Sequence, residues 1–138
     1  DLTRSVFEKL EIAARAKQLR IDFDFPEDFA VTADEGRIAQ VIENFASNAV
    51  KYTPQGGHVQ VAIRRSGAKT AFTIENDSAP LPDEALSKVW NTFYRADESR
   101  SGSGTGLGLA IAKSIVELHG GTCDVYNTAT GVAFRFTI

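Results

Sequence analysis

The clearest chemical signal in this sequence is a glycine-rich run that leads into a helix. Residues 101–109 are Ser-Gly-Ser-Gly-Thr-Gly-Leu-Gly-Leu, and the apolar periodicity that follows predicts a helix over residues 109–119. The first turn of a helix presents unpaired N–H groups and a partial positive charge, which glycines let an anion approach closely. The run predicts a phosphate-binding site, although a flexible loop with ordinary helix capping would explain the glycines alone equally well.

The run fits neither of the two common nucleotide-binding fingerprints. A P-loop needs Gly-Lys-Ser/Thr after four spacer residues, but Leu107 and Leu109 occupy the positions that follow here. The dinucleotide fingerprint needs a strand directly before it, whereas residues 93–103 are polar and loop-like. A different phosphate-binding architecture is therefore predicted.

A second polar cluster lies on the helix predicted over residues 35–52. Asn44, Asn48 and Lys51 fall within a stripe roughly 60° wide, beside an apolar stripe that should face a sheet. A solvated flank would explain a single Asn, but two Asn residues one turn apart lower the helix propensity. A carboxamide oxygen suits Mg²⁺, which usually takes one or two protein ligands and completes its shell with water and substrate phosphate.

The elements that must position these residues predict an α+β fold. A helix is predicted over residues 2–18, with Leu2, Val6, Leu10 and Ala13 on its apolar stripe, and Asp34 is the predicted N-cap of the second helix. Because nearly every strand alternates apolar and polar residues, one sheet face should be packed and the other solvated, with the helices together on the packed face. The predicted strands include residues 20–25, about 30–32, 58–64, 72–76, 122–126 and 132–138.

The composition indicates one globular domain and excludes several classes of function. The chain has 138 residues and a formal net charge of −3, which gives no support to nucleic-acid binding. Its single cysteine, Cys123, excludes an internal disulfide and is predicted to face the core. No apolar run is long enough to span a membrane, and no signal peptide opens the chain. The chain begins with Asp and contains no Met, so we expect an excised domain without membrane contact of its own.

Three spaced motifs resemble the ATP-binding catalytic domain of sensor histidine kinases. Residues 37–54 resemble the N-box, residues 93–95 (Phe-Tyr-Arg) the F-box, and residues 104–109 (Gly-Thr-Gly-Leu-Gly-Leu) the second glycine box. The resemblance spans nearly the whole chain, residues 1–138, in order. It implies the Bergerat fold of the GHKL superfamily, which includes the DNA gyrase ATPase subunit. That fold is a two-layer α/β sandwich with about three helices on one face of a mixed, mainly antiparallel sheet.

The resemblance also implies MgATP binding and assigns roles to individual residues. Asn48 would bind Mg²⁺, with Asn44 one turn earlier, and Lys51 would neutralise phosphate charge. Tyr52 would pack beside the adenine or the ribose. The remaining implied contacts lie in or beside an ATP lid at about residues 92–105: Phe93, Arg95, Gly104, Thr105, Gly106, Leu107 and Gly108.

The match to the family fails at the end of one strand. The family usually carries Asp-x-Gly-x-Gly there, with the Asp binding the adenine amino group, but this chain has Asn-Asp-Ser-Ala-Pro at residues 76–80. Strand parity places Asn76 toward the helices and Asp77 away from them. An Asn carbonyl oxygen can accept a hydrogen bond from adenine, but its amide group can also donate, so we expect weaker discrimination against guanine.

The leading hypothesis is the catalytic domain of a two-component sensor histidine kinase, which transfers the γ-phosphoryl group of ATP to a histidine. His58 begins a strand and His119 ends a helix, so neither has the setting of the family's phosphoacceptor. The acceptor is expected on a separate dimerisation domain, absent here, of a membrane-anchored bacterial sensor, with this domain in the cytoplasm and a response regulator downstream. Two alternatives stay open: an anti-sigma-factor serine kinase, and a non-catalytic nucleotide-sensing module, which the altered loop favours.

Overall fold

The computed structural model describes residues 2–25, 35–91 and 108–138. The predicted strand near residues 30–32, the Asp34 cap and the lid, with Phe93, Arg95, Gly104, Thr105, Gly106 and Leu107, lie outside the described residues. The described elements are α1 (Leu2–Glu8), α2 (Glu11–Ala16), β1 (Arg20–Asp24), α3 (Glu35–Tyr52), β2 (His58–Ser66), β3 (Lys69–Asp77), α4 (Asp83–Lys88), α5 (Gly108–Leu118), β4 (Thr122–Asn127) and β5 (Gly131–Thr137).

The five described strands form one mixed sheet in the order β1-β2-β3-β5-β4. The strands β1 and β2 are parallel, and the other three neighbouring pairs are antiparallel. Parallel neighbours need a crossover connection, and α3 lies in the segment that joins them. The predicted mixed, mainly antiparallel sheet is therefore confirmed.

The apolar face of the sheet packs against α3. Val132, Phe134 and Phe136 alternate along β5 and are buried, as predicted. Phe45 of α3 is 1% exposed, and its ring centroid lies 5.4 Å from that of Phe136 and 5.9 Å from that of Phe134. Aromatic rings at these separations add to the free energy of burial. The helix α3 also contacts α1 and α5, so it is the central helix of its layer.

The opposite sheet face is less solvated than the alternation predicted. Ala133 points away from the helices but is only 1% exposed. Its cross-strand neighbours are Glu75 and Tyr126, whose longer side chains lie on the same face. Alternation along a strand therefore does not by itself predict how exposed a short side chain is.

The single helix predicted over residues 2–18 is wrong. The chain forms two helices, α1 and α2, separated by a turn in which the Leu10 amide donates to the Phe7 carbonyl at 3.0 Å. This three-residue spacing is tighter than that of an α-helix and shifts the phase of the residues that follow. Ala14 is consequently buried, whereas Ala13, predicted on the apolar stripe, is exposed.

The helix α4 was not predicted, although the sequence carries signals for it. Pro82 occupies its N-cap position, Asp83 and Glu84 provide acidic residues in its first turn, and Ala85 and Val89 are buried one turn apart. The described residues therefore hold five helices instead of about three. No helix among them is long and apolar enough to cross a membrane.

The helix α5 ends at Leu118, one residue before the predicted end, and two glycines follow His119. Gly120 has a φ of +76°, and its amide donates to the Glu117 carbonyl while the Gly121 amide donates to the Val116 carbonyl, both at 2.9 Å. These two bonds form a Schellman motif. A Cβ atom on Gly121 would lie 1.8 Å from the Thr137 carbonyl oxygen, so only glycine fits there. His119 caps this end, with Nδ1 2.8 Å from the Ile115 carbonyl oxygen.

Candidate functional site

The helix α3 has the predicted bounds and carries the predicted polar stripe. Val41 and Phe45 are buried against the sheet, whereas Asn44, Asn48 and Lys51 are half-buried beside them. The carboxamide of Asn48 makes no hydrogen bond to any described residue. This side chain is therefore held at the edge of the core with its hydrogen-bonding capacity unused by the described part of the protein.

The polar stripe of α3 meets the first residue of α5. The Nδ2 atom of Asn44 donates a hydrogen bond to the Gly108 carbonyl at 3.0 Å. A Cβ atom built on Gly108 would lie 3.6 Å from both Cγ and Oδ1 of Asn44. The two helices that the sequence singled out for phosphate chemistry thus contact each other through residues of their chemically distinctive stretches.

The end of α3 carries Lys51 and Tyr52, which contact each other. Both side chains are half-buried, and Nζ of Lys51 lies 5.0 Å from the centroid of the Tyr52 ring. An ammonium group at this distance from an aromatic face is attracted by the ring quadrupole. The contact keeps a positive charge beside an aromatic surface at one end of the polar stripe.

Asn76 lies on the helix-facing side of the sheet, as strand parity predicted. Its side chain is 3% exposed and stands between Val59 of β2 and Val132 of β5 in the sheet register. Its Nδ2 atom donates to the Asp77 carbonyl at 3.1 Å, and no described residue donates to its Oδ1 atom. Asp77 is occupied elsewhere, because its Oδ2 accepts a hydrogen bond from the His58 amide at 2.9 Å.

The turn after α3 brings the end of the polar stripe close to this end of β3. A Cβ atom on Gly57 would lie 2.6 Å from Cγ2 of Thr53 and 3.6 Å from Cβ of Asp77, which requires glycine for the close approach. Thr53, the residue after α3, follows Asn44 by nine positions, which is about 13 Å at the helical rise. The candidate site is therefore an elongated strip from the start of α5 to the end of β3.

The loop after Asn76 is held by the β4–β5 hairpin and not by glycines. The Asn127 side chain accepts from the Leu81 amide at 2.9 Å and donates to the Leu81 carbonyl at 3.0 Å. The Ser78 amide donates to the Thr130 carbonyl at 3.3 Å. A Cβ atom on Gly131 would lie 1.8 Å from the Asn76 carbonyl oxygen, so the hairpin packs directly against the strand that carries Asn76.

The donor chemistry of the strip suits Mg²⁺ held mainly by phosphate and water. Among the residues that the structure describes, no group of three or more His, Cys, Asp or Glu side chains could hold a metal ion. A closed protein site is therefore not formed by these residues. A single neutral oxygen from Asn48 beside a phosphate group fits the coordination that Mg²⁺ adopts with nucleotides.

Other polar groups and cavities lie apart from this strip. Cys123 is half-buried and packs against the core, as predicted, and burial raises the pKa of its thiol to about 12. The His58 ring contacts Asp22 at 2.6 Å on the far side of the sheet. An open cavity of about 480 Å³ lies between α1, α2 and β1, and none of its lining residues belongs to the polar stripe.

Comparison with known proteins identifies the family. Residues 33–138 match the family described as histidine kinase-, DNA gyrase B- and HSP90-like ATPases. The catalytic domain of the histidine kinase ThkA, solved in a nucleotide-free form, superposes with a TM-score of 0.88 at 32% identity, covering 99% of this chain and 89% of that one. The chain therefore belongs to this ATPase family.

Two relatives are named as a probable sensor kinase and a sensor protein. A probable sensor kinase of Salmonella typhimurium, SilS, is 40% identical over 110 residues, which are 78% of this chain and 22% of that protein. The heme sensor protein HssS of Staphylococcus aureus is 36% identical over 121 residues, 88% of this chain and 26% of that protein. The chain thus has the fold and sequence of a histidine kinase catalytic domain, and it spans about a quarter of these relatives' length.

Proposed function

We propose that this chain binds MgATP and transfers the γ-phosphoryl group to a histidine on a separate dimerisation domain of the same protein. The observation that carries the proposal is the hydrogen bond from Asn44 to the Gly108 carbonyl, because it joins the polar stripe of α3 to the start of α5. A helix start attracts phosphate, and the stripe beside it supplies an oxygen ligand and an ammonium group. Transfer of a phosphoryl group needs mainly such positioning and charge neutralisation.

Each residue of the strip would make a different contact with the bound nucleotide. Gly108, with the run Gly104, Thr105, Gly106 and Leu107 before it, would hold the phosphates at the α5 start, and Phe93 and Arg95 would complete the contacts from the lid. Asn48 would provide the protein ligand to Mg²⁺, with Asn44 beside it, and Lys51 would neutralise phosphate charge. When bound, Mg²⁺ neutralises the charge that develops on the phosphate oxygens. Tyr52 would pack against the adenine or the ribose.

Asn76 would read the base through an acceptor. One of the two Nδ2 hydrogens is engaged, because Nδ2 donates to the Asp77 carbonyl at 3.1 Å. Rotating the carboxamide by 180° would direct Oδ1 at that carbonyl oxygen, so the hydrogen bond fixes the orientation. The side chain then offers Oδ1 and the second Nδ2 hydrogen to a ligand. Adenine presents an amino donor at its 6-position and guanine presents an oxygen acceptor, so weaker discrimination against guanine is still expected.

The relatives support a phosphorelay around this domain. ThkA has been solved in complex with the response regulator TrrA, and this chain matches that kinase with a TM-score of 0.84 at 29% identity over 99% of its own length and 39% of the other chain. A response regulator is therefore the proposed partner downstream, and a cytoplasmic position in a membrane-anchored bacterial sensor fits the use of ATP. The named relatives are sensor kinases, which favours this function over a serine kinase or a nucleotide sensor.

The decisive experiment measures transfer of phosphate to a dimerisation domain. This chain is mixed with a matching phosphoacceptor domain and labelled MgATP, and acid-labile phosphate on the acceptor is counted. We expect Asn48→Ala to lower the rate at least about 100-fold, since a metal ligand is lost. Ser47→Ala is the control, because Ser47 is exposed on the same helix. Transfer at the normal rate by a folded Asn48→Ala protein would show that the metal assignment is wrong.

A further inference from the structure

Lys17, in the turn after α2, forms hydrogen bonds through its side chain and its backbone to the C-terminal end of α3 and the turn that follows it. Its Nζ atom donates to the Val50 carbonyl at 2.9 Å and to the Lys51 carbonyl at 2.8 Å. Its own carbonyl accepts a hydrogen bond from the Gly56 amide at 2.8 Å. The side chain is half-buried, so these bonds are partly shielded from water.

The Lys17 ammonium group supplies hydrogen-bond donors and a positive charge to the C-terminus of α3. The last four carbonyls of a helix have no partner within the helix, and this end carries a partial negative charge. The Ala49 carbonyl is satisfied by the amide and the hydroxyl of Thr53. The next two carbonyls, those of Val50 and Lys51, accept from Lys17, which places a cation where the helix dipole favours one.

The same segment is tied to the end of β3. The Arg20 amide donates to the Gly57 carbonyl at 3.0 Å, and the next residue, His58, donates its amide to Asp77. Lys17 thus acts on a continuous piece of backbone that runs from Lys51 to the strand end beside Asn76. The Val50 and Lys51 carbonyls belong to the peptide groups that directly precede Lys51 and Tyr52. A shift of this backbone would therefore move the Lys51 and Tyr52 side chains.

We propose that Lys17 is a positioning residue for nucleotide binding, acting through the backbone of Lys51 and Tyr52. The inference rests on the proposed function, since it assigns a purpose to the geometry of that site. A cap with a purely structural role would lower the stability of the protein and leave the affinity of the folded protein for nucleotide unchanged. A positioning role alters that affinity even where the protein is fully folded.

The test compares three variants of this chain by titration with a fluorescent ATP analogue and Mg²⁺, well below their melting temperatures. Lys17→Met keeps the apolar stem but removes the donors, and it should weaken binding about tenfold, as expected when backbone hydrogen bonds stop holding the site. Lys17→Arg retains donors for both carbonyls and should recover most of the affinity. Lys9→Met removes an exposed lysine from the turn before α2 and should bind as the unchanged chain does.

The outcomes separate this inference from the proposed function. If the unchanged chain fails to bind the analogue, the proposed function is wrong. If it binds, and Lys17→Met binds equally well while melting at a lower temperature, Lys17 is a structural cap only. Should Lys17→Met fail to fold, Lys17→Gln, which keeps one uncharged donor group, is titrated instead, and unchanged affinity together with a lower melting temperature, which shows that the cap is weakened, overturns the inference. With the acceptor domain added, the change should appear in the KM for ATP and not in kcat.

Discussion

The substitution Asn76→Leu tests whether Asn76 contributes to nucleotide binding or to the stability of the fold. The carboxamide is 3% exposed among valines, and its single described hydrogen bond goes to the Asp77 carbonyl at 3.1 Å. Leucine has nearly the same shape but no polar atoms. If Asn76 exists to hold a ligand, the substitution removes a group that the apolar surroundings do not favour.

The estimated free energies predict a small change in the stability of the protein and a large loss of affinity for ATP. Losing the hydrogen bond and leaving the carbonyl unpaired costs about 2 kcal/mol, whereas removing the buried carboxamide returns about 1–3 kcal/mol of desolvation penalty. The free energy of unfolding should change by no more than about 1 kcal/mol, or about 4 °C in melting temperature. Binding should lose the Asn76 oxygen as an acceptor for the adenine amine, which costs about 2–3 kcal/mol, or roughly 30- to 150-fold in Kd.

The assay combines thermal unfolding followed by circular dichroism with calorimetric titration of MgATP. Thr137→Val is the matched control, because Thr137 is also buried and polar but pairs with the Thr122 hydroxyl at 2.9 Å. It should lose about 1 kcal/mol of stability and keep its affinity for ATP. If the Asn76→Leu protein binds ATP normally, the proposed base contact is wrong. If it melts far below the control, the loss of binding is explained by the loss of folded protein.

Three further predictions test the fold around the site. Gln18 has a φ of +57°, so Gln18→Gly should relieve left-handed strain and, after the entropy cost of glycine, raise the free energy of unfolding by about 0.5–1 kcal/mol in urea denaturation. A decrease would show that the hydrogen bond from Gln55 Nε2 to Gln18 Oε1, at 3.4 Å, matters more. Gly131→Ala places a Cβ atom 1.8 Å from the Asn76 carbonyl oxygen and should lower stability by at least about 3 kcal/mol, whereas a normal melting curve would contradict this packing. Burial raises the pKa of the Cys123 thiol from 9.0 to about 12, so its alkylation by iodoacetamide at pH 8 should be at least about 100-fold slower in the folded protein than in urea. Equal rates would mean an accessible thiolate.

The helix α3 and the strands could be predicted because each is specified by a local period. The apolar stripe of α3 runs without interruption to Tyr52, and Pro54 prevents its continuation, so both ends matched the prediction. Alternation along β3 was sufficient to place Asn76 on the helix-facing side. Parity is robust because a slip of one residue would expose Phe72 and Ile74.

The features that were not predicted depend on contacts between distant residues. No glycine or proline marks the break between α1 and α2, which occurs where Phe7 and Ala14 are both buried. The Lys17 ammonium group and the Lys51 carbonyl are 34 residues apart in the chain, and no local pattern relates them. The helix α4 is different, because its Pro82 and acidic first turn were visible in the sequence.

The Asn side chains of this protein differ in how many of their polar atoms form hydrogen bonds within the described residues. This difference separates the Asn side chains that stabilise the fold from those proposed to bind a ligand. Asn127 uses both its oxygen and its nitrogen on the Leu81 backbone, so its side chain is fully accounted for by structure. Asn76 uses only its nitrogen, and Asn48 uses neither atom on any described residue. A buried or half-buried polar group with an unused acceptor lowers stability unless something else pairs with it. Departures from locally favourable choices concentrate at functional sites, and both of these Asn residues belong to the candidate strip. Their unused oxygens therefore support the proposed ligand, a magnesium nucleotide, which would bring a cation to Asn48 and an amino donor to Asn76.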